Sequence, residues 1–256
     1  MKPLPLLPLL FSLVPVFAQD QPADPAAKPE AGQPALLPNQ EAFLNLPEER
    51  RKEFAKNLGE ANRLFQQKRI FETLNSLNKA DAIFADSPET LNLRGACYVE
   101  FRAFDKAMEA FEKALALAPD NSSVLFNIGE VLFVTKEWQK SLDILEKVLQ
   151  DTPKEQLALS RLVEFKILLC KRKLNQKAAA ETLSDKYDID DDSPYHCYAK
   201  AALAYEDGDS IKAEEWLARA GRIFRNPDVL APWQDTLVEY GYIKSFYGND
   251  IGEGEE

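Results

Sequence analysis

The sequence predicts an all-α chain built from stacked antiparallel helix pairs. Three observations carry this. The chain matches itself when shifted by 34 residues. Within the matching segments, apolar residues recur three and four positions apart, the spacing of one helix face. Prolines fall at Pro88, Pro119, Pro153, Pro194 and Pro227, at the borders of the apolar patterns, where helices start or cannot continue.

Taken in chain order, residues 1–18 read as an export signal. Lys2 supplies the positive start, Leu4 to Phe17 is an apolar run, and Val16-Phe17-Ala18 offers a cleavage site, with cleavage expected after Ala18. The run is short and broken by Pro5, Pro8 and Pro15, which argues against a membrane-spanning helix. No cysteine follows it to take a lipid anchor, and no other segment is long and apolar enough to cross a membrane. The mature chain is therefore expected without a transmembrane segment, in the periplasm or secreted. Residues 19–45 read as a Pro/Ala-rich linker that buries too little apolar surface to offset the entropy of ordering. Leu36-Leu37 and Phe43-Leu44 are its exceptions and are candidates to dock on the folded part.

The folded part is read as residues 46–247. Shifted by 34, Leu91 meets Leu125, Gly95 meets Gly129, Phe104 meets Trp138 and Pro119 meets Pro153, with Lys106, Glu112, Lys113 and Leu115 meeting identical residues. The best copy is 88–121. Ser87 caps its first helix and Pro88 opens it. Gly95 permits close helix approach, with Tyr98 on the same face. Phe104 opens the second helix, where Ala107, Phe111 and Ala114 alternate small, large and small. Residues 122–155 keep that plan with Ile128, Gly129, Leu132, Ser141, Leu145 and Val148. The copy at 54–87 is weaker and lacks the final proline. The copy at 156–193 runs long and has Val163 where a small residue belongs. The copy at 194–227 recovers the pattern with Ala201, Ala213, Leu217 and Ala220, and places Gly208 in its turn. Residues 232–247 read as a single capping helix with Trp233, Leu237, Tyr240 and Ile243, since an array otherwise leaves an apolar face in water. Residues 248–256 read as an acidic, flexible tail.

A 34-residue period with Gly, Tyr, Ala, Phe, Ala and Pro in these places resembles the tetratricopeptide repeat (TPR), of an exported bacterial type. The resemblance implies a right-handed superhelical solenoid whose concave groove is lined by the first helix of each pair. On that geometry the groove would present Asn62 and Phe65, then Asn92 and Val99, then Phe126, Asn127, Glu130 and Phe133, and finally Tyr198 and Tyr205. The family's basic clamp for a C-terminal carboxylate is not expected, because Leu58 and Ser123 stand where cations would. An amphipathic helix or extended apolar peptide suits the groove better.

Signals for chemistry are few. The net charge of −11 argues against a nucleic-acid partner, which needs clustered Lys and Arg. His196 is the sole histidine and, as the neighbour of Cys197 on a helix, points about 100° away from it. It cannot form a catalytic pair with that thiol, and one histidine excludes multi-histidine zinc sites. Asp188, Asp190 and Asp192 alternate like a calcium loop, but Ser193 and Ala199 stand where glycine and glutamate belong. They read as a solvated loop leading into a helix. Cys97, Cys170 and Cys197 sit among apolar residues as small hydrophobes, with a Cys170–Cys197 bridge left open. No catalytic, metal or cofactor site is expected. The resulting expectation is a non-enzymatic scaffold of the bacterial envelope that binds a protein or peptide. A self-associating structural subunit is the second reading, and a thiol-dependent redox protein is a remote third.

Overall fold

A computed structural model describes residues 36–243. The expected signal, most of the linker and the acidic tail lie outside the described residues. Within them are twelve helices and no strand, as the all-α expectation requires. They divide into two compact units, one ending at Val124 and one beginning at Leu125.

The first unit opens with α1 (Pro38–Leu44) and holds two hairpins, α2 (Glu48–Gln66) with α3 (Ile70–Asp81), and α4 (Pro88–Glu100) with α5 (Phe104–Leu117). The stretch 38–44 was expected to belong to the linker and is instead a helix. Pro38 sits at its first position, where a missing N–H costs nothing. The Leu37 N–H donates to Gln40 Oε1 at 2.9 Å. Phe43 then docks edge-on against Phe54 and Phe84, with ring centroids 5.1 and 5.4 Å away, and covers the open side of the first hairpin. Leu36 and Leu44 stay exposed.

The second unit takes in α6 (Ser122–Val134) from Leu125 onward, followed by α7 (Trp138–Asp151), α8 (Leu157–Lys173), α9 (Lys177–Ser184), α10 (Tyr195–Glu206), α11 (Ser210–Ile223) and α12 (Pro227–Tyr240). Three hairpins and a final helix result. The long connection between α9 and α10 is pinned to α8. Arg161 holds Asp191 at 3.0 Å and lies over the Tyr187 ring at 3.5 Å, while Glu164 accepts from Lys186 and Tyr187. Asp191 is thus an anchored residue within the loop expected to be solvated.

One turn recurs in all five hairpins. Lys68, Arg102, Lys136, Asn175 and Gly208 each adopt positive φ, between 54° and 77°. The residue after each donates its N–H to the carbonyl five positions back, as in Arg69 to Leu64, Ala103 to Tyr98 and Glu137 to Leu132. Gln176 to Lys171 and Asp209 to Ala204 repeat the bond. This is how a helix end satisfies its last carbonyls while the chain reverses. The first three turns are 34 residues apart and the fourth comes 39 later, mainly because α8 runs 17 residues where α4 and α6 run 13. The long fourth copy therefore keeps the same reversal.

Helix approach within the hairpins rests on small residues. A Cβ placed on Gly95 would lie 2.4 Å from the Phe111 ring, which is fully buried. In the next hairpin Ser141 Oγ donates to the Gly129 carbonyl at 2.9 Å, a bond that requires the two backbones to be close.

The last helix differs from its expected bounds. It was read as 232–247 and runs from Pro227 to Tyr240. Asn226 caps its start by accepting from the Asp228 N–H at 3.0 Å, so Pro232 falls inside the helix. Gly241, at φ 98°, ends it with an N–H shared between the Leu237 and Val238 carbonyls.

Two substitutions test these constraints by urea denaturation. Gly95→Ala should destabilise the chain by about 1–3 kcal/mol, because the Phe111 ring has no room to move. Lys136→Gly should stabilise it by about 0.5 kcal/mol, since relief of the left-handed conformation exceeds the added entropy of the unfolded chain.

Candidate functional site

The first helices of the second unit, α6, α8 and α10, share a face, and α12 lies across it. Leu230, Trp233, Leu237 and Tyr240 form the buried stripe of α12 at helical spacing. Trp233 sits among Phe165, Tyr195 and Tyr198, with ring centroids 5.4, 6.3 and 5.6 Å away. At the other end, Tyr240 meets Phe133 at 6.3 Å and Trp138 at 5.6 Å, with the Lys173 ammonium 4.3 Å from its ring. Its hydroxyl donates to Glu206 on α10 at 3.4 Å. Each buried aromatic of this kind contributes about 2 kcal/mol through burial alone.

Between these anchors is a buried charge cluster. Lys166 on α8 has a side chain only 2% exposed. Its ammonium lies 3.1 Å from Glu130 on α6 and 3.4 Å from Glu239 on α12, and 4.6 Å from the centre of the Phe133 ring. Two carboxylates thus compete for one cation. Glu130 Oε1 is buried without a hydrogen-bond partner among the described residues. Burial pushes the Glu239 carboxyl up to about 7; Lys166 opposes this, while Glu130 and Asp235 add to it. Burial also raises Glu130. For Lys166, burial favours the neutral amine, but the two carboxylates outweigh it and hold the amine charged. Removing one member of such a buried group typically costs about 3–5 kcal/mol, because a charge is left unpaired.

The residues expected to line a groove divide between the two units. In the first, Phe65, Asn92 and Val99 are buried. Asn62 is half-buried and donates to the Leu58 carbonyl of its own helix. In the second, Phe126, Asn127 and Phe133 are buried, and Tyr198 is 1% exposed beneath Trp233. Tyr205 is half-buried and stacks on Tyr242 at 5.4 Å. The structure therefore gathers Glu130, Phe133, Tyr198 and Tyr205 around the C-terminal segment, with α12 occupying the face. Sequence reasoning missed Phe165, Lys166, Trp138 and Glu239. Lys166 had a signal, since it is the lone cation in the apolar run Val163 to Cys170.

The arrangement does little to activate a nucleophile. All three cysteines are free and buried. Burial pushes the Cys97 and Cys170 thiols up to about 12 and raises Cys197, so they stay protonated at neutral pH. His196 Nδ1 lies 2.8 Å from the Tyr187 carbonyl and its ring meets Trp216 edge-on. Among the described residues no group of three or more His, Cys, Asp or Glu is placed to hold a metal ion.

The cluster has a pH signature. A carboxyl raised from its ordinary 4.5 to about 7 binds its proton more tightly with α12 docked than released. Docking is therefore strongest below pH 4.5 and weakens as pH rises through about 7. Glu130 acts in the same direction, and Lys166 stays charged across this range. Surface carboxylates such as Glu48 and Glu109 have the opposite sign, because side-chain hydrogen bonds from Lys52 and Lys113 lower them. A local readout is needed to separate the two. Hydrogen-exchange protection of the 230–240 amides, corrected for intrinsic rate, should be at least several-fold higher at pH 5 than at pH 7.5.

Residues 98–163 match the family model described as tetratricopeptide repeat. The chain is 28% identical over 148 residues to the Protein CTR9 homolog of Arabidopsis thaliana, a match covering 57% of this chain and 13% of that protein. The chain thus spans a small fraction of that relative's length. PilW, described as a widely conserved type IV pilus biogenesis factor, is similar in fold with a TM-score of 0.56 at 17% identity, covering 75% of this chain and 87% of PilW. YrrB, described as a TPR protein with an unusual peptide-binding site, gives 0.50 at 20% identity over 75% of this chain and 95% of YrrB. The family match falls on the two hairpins with the clearest 34-residue repeat, and with these folds it identifies the chain as a tetratricopeptide-repeat protein.

Proposed function

We propose that this chain is an exported scaffold of the bacterial cell envelope that binds a protein partner through the first helices of its repeats. The observation that carries the reading is α12. An amphipathic helix with buried residues at 230, 233, 237 and 240 lies on the face formed by α6, α8 and α10. That is the helix-in-groove mode of recognition, with anchors about one turn apart. The fold supports the general role, since proteins of this type bind proteins or peptides. The envelope assignment is supported by the N-terminal sequence, with Lys2, an apolar run and Ala18. The similarity to a pilus biogenesis factor is consistent with it. No helix among the described residues is long and apolar enough to cross a membrane.

Fractionation of the native cell, with N-terminal sequencing and crosslinking mass spectrometry, tests both parts. The expected result is a mature chain starting at Gln19 in the envelope fraction, crosslinked to one recurring protein through residues of 125–243. A cytosolic chain retaining Met1 would end the export assignment. An envelope chain without a recurring crosslinked protein would end the scaffold assignment.

A further inference from the structure

We propose that α12 is a releasable internal occupant of the α6/α8/α10 face, and that the partner helix replacing it carries an aromatic–leucine–aromatic stripe with a neutral polar residue where α12 has Glu239. The proposal rests on the scaffold reading above and specifies its partner.

The face without α12 is already balanced in charge. Lys166 and Glu130 form a pair at 3.1 Å. Docking α12 adds a second carboxylate 3.4 Å from the same ammonium, under a side chain only 8% exposed. Glu239 therefore enters a site whose cation is committed, and loses its water. A buried carboxylate is costly unless fully paired. Glutamine has the same shape and can accept from Lys166 and donate to Glu130 without bringing charge. The anchors on either side are well made, with Trp233 among three rings and Tyr240 among two rings and the Lys173 ammonium. The defect of α12 as an occupant is thus confined to one position.

Two further features favour release. Pro232 inside the helix removes a backbone donor and leaves a helical bond unmade. The link from α11 is short and non-helical, with Phe224 extended (φ −99°, ψ 90°) and Asn226 capping the next helix, so α12 can swing about 224–226 while α11 stays in place. A guest must outcompete a helix tethered at high effective concentration. It does so by matching the aromatic anchors and omitting the extra charge.

A labelled peptide of residues 226–242 tests this in trans, in its natural form and as Glu239→Gln, against the full chain and the full chain carrying Trp233→Ala. Trp233→Ala weakens the internal helix and should raise affinity for either peptide at least tenfold over the unsubstituted chain. On that variant the Glu239→Gln peptide should bind at least fivefold tighter than the natural one at pH 7.5, with the ratio falling toward one at pH 5. No saturable binding to a Trp233→Ala chain of unchanged helicity overturns the proposal. So does equal affinity of the two peptides at pH 7.5. A Trp233→Ala chain that dimerises by exchanging α12 between copies, with peptide unable to separate them, also overturns it. Should Trp233→Ala fail to fold, hydrogen exchange on the unsubstituted chain decides. Protection of α12 at least tenfold below that of α8 supports release, and equal protection marks α12 as a permanent part of the core. Peptide exchange without any envelope partner in the cell would leave the releasable face standing and remove only the scaffold reading. A crosslinked partner together with an immovable α12 would do the reverse.

Discussion

The close approach of two helices inside each hairpin is the constraint on which the rest depends. At Gly95 the Phe111 ring occupies space that any side chain would need, and at Gly129 the Ser141 hydroxyl reaches a backbone carbonyl across the gap. Helices packed this tightly require a sharp and reproducible reversal. The left-handed residue at the end of each first helix supplies it. Four of these five residues are not glycine, so the conformation carries a cost of about 1 kcal/mol each. That it persists shows that tertiary packing, not local preference, sets the turn.

This explains which parts of the fold were legible from sequence. Gly95, Phe111, Gly129 and the prolines repeat at a fixed interval because each hairpin must solve the same packing problem. Self-comparison finds such repetition without knowledge of structure. The fourth hairpin was harder to read because α8 is longer, yet Asn175 keeps the reversal. Asparagine tolerates the left-handed region, and its place after Arg172-Lys173-Leu174 was an unused clue. Helix α1 was missed because its order depends on Phe43 reaching Phe54 and Phe84, a long-range contact that local composition does not encode.

The site was legible only in part, for a related reason. Helical spacing identified Phe133, Tyr198 and Glu130 as residues on the first-helix face. It could not say what would cover them. Phe133 and Tyr198 are about as buried as any core residue, but the cover is α12, a segment from the far end of the chain. The expected cap started at Pro232 because proline was read as a beginning. The better start was Asn226-Pro227, a capping residue followed by proline at the first position. Lys166 shows the limit most clearly. A lone lysine in an apolar run announces a buried partner, but Glu130 and Glu239 lie 36 and 73 residues away in sequence and no local pattern connects them.

A permanent cap and a releasable occupant differ in what the buried charges are for. A cap gains nothing from Glu239, since an alanine or glutamine there would shield the same apolar stripe without bringing a second carboxylate to Lys166. The aromatic anchors hold α12 by apolar contact, which changes little with pH, whereas the carboxylate opposes docking more strongly as it loses its proton. The balance between the two is what makes the helix conditional. Lys166 alone cannot rescue it, because half of its attraction is already spent on Glu130. The same ammonium that makes the empty face self-sufficient therefore makes the filled face imperfect, and a helix without the acid meets a surface already complete in charge and short only of apolar cover.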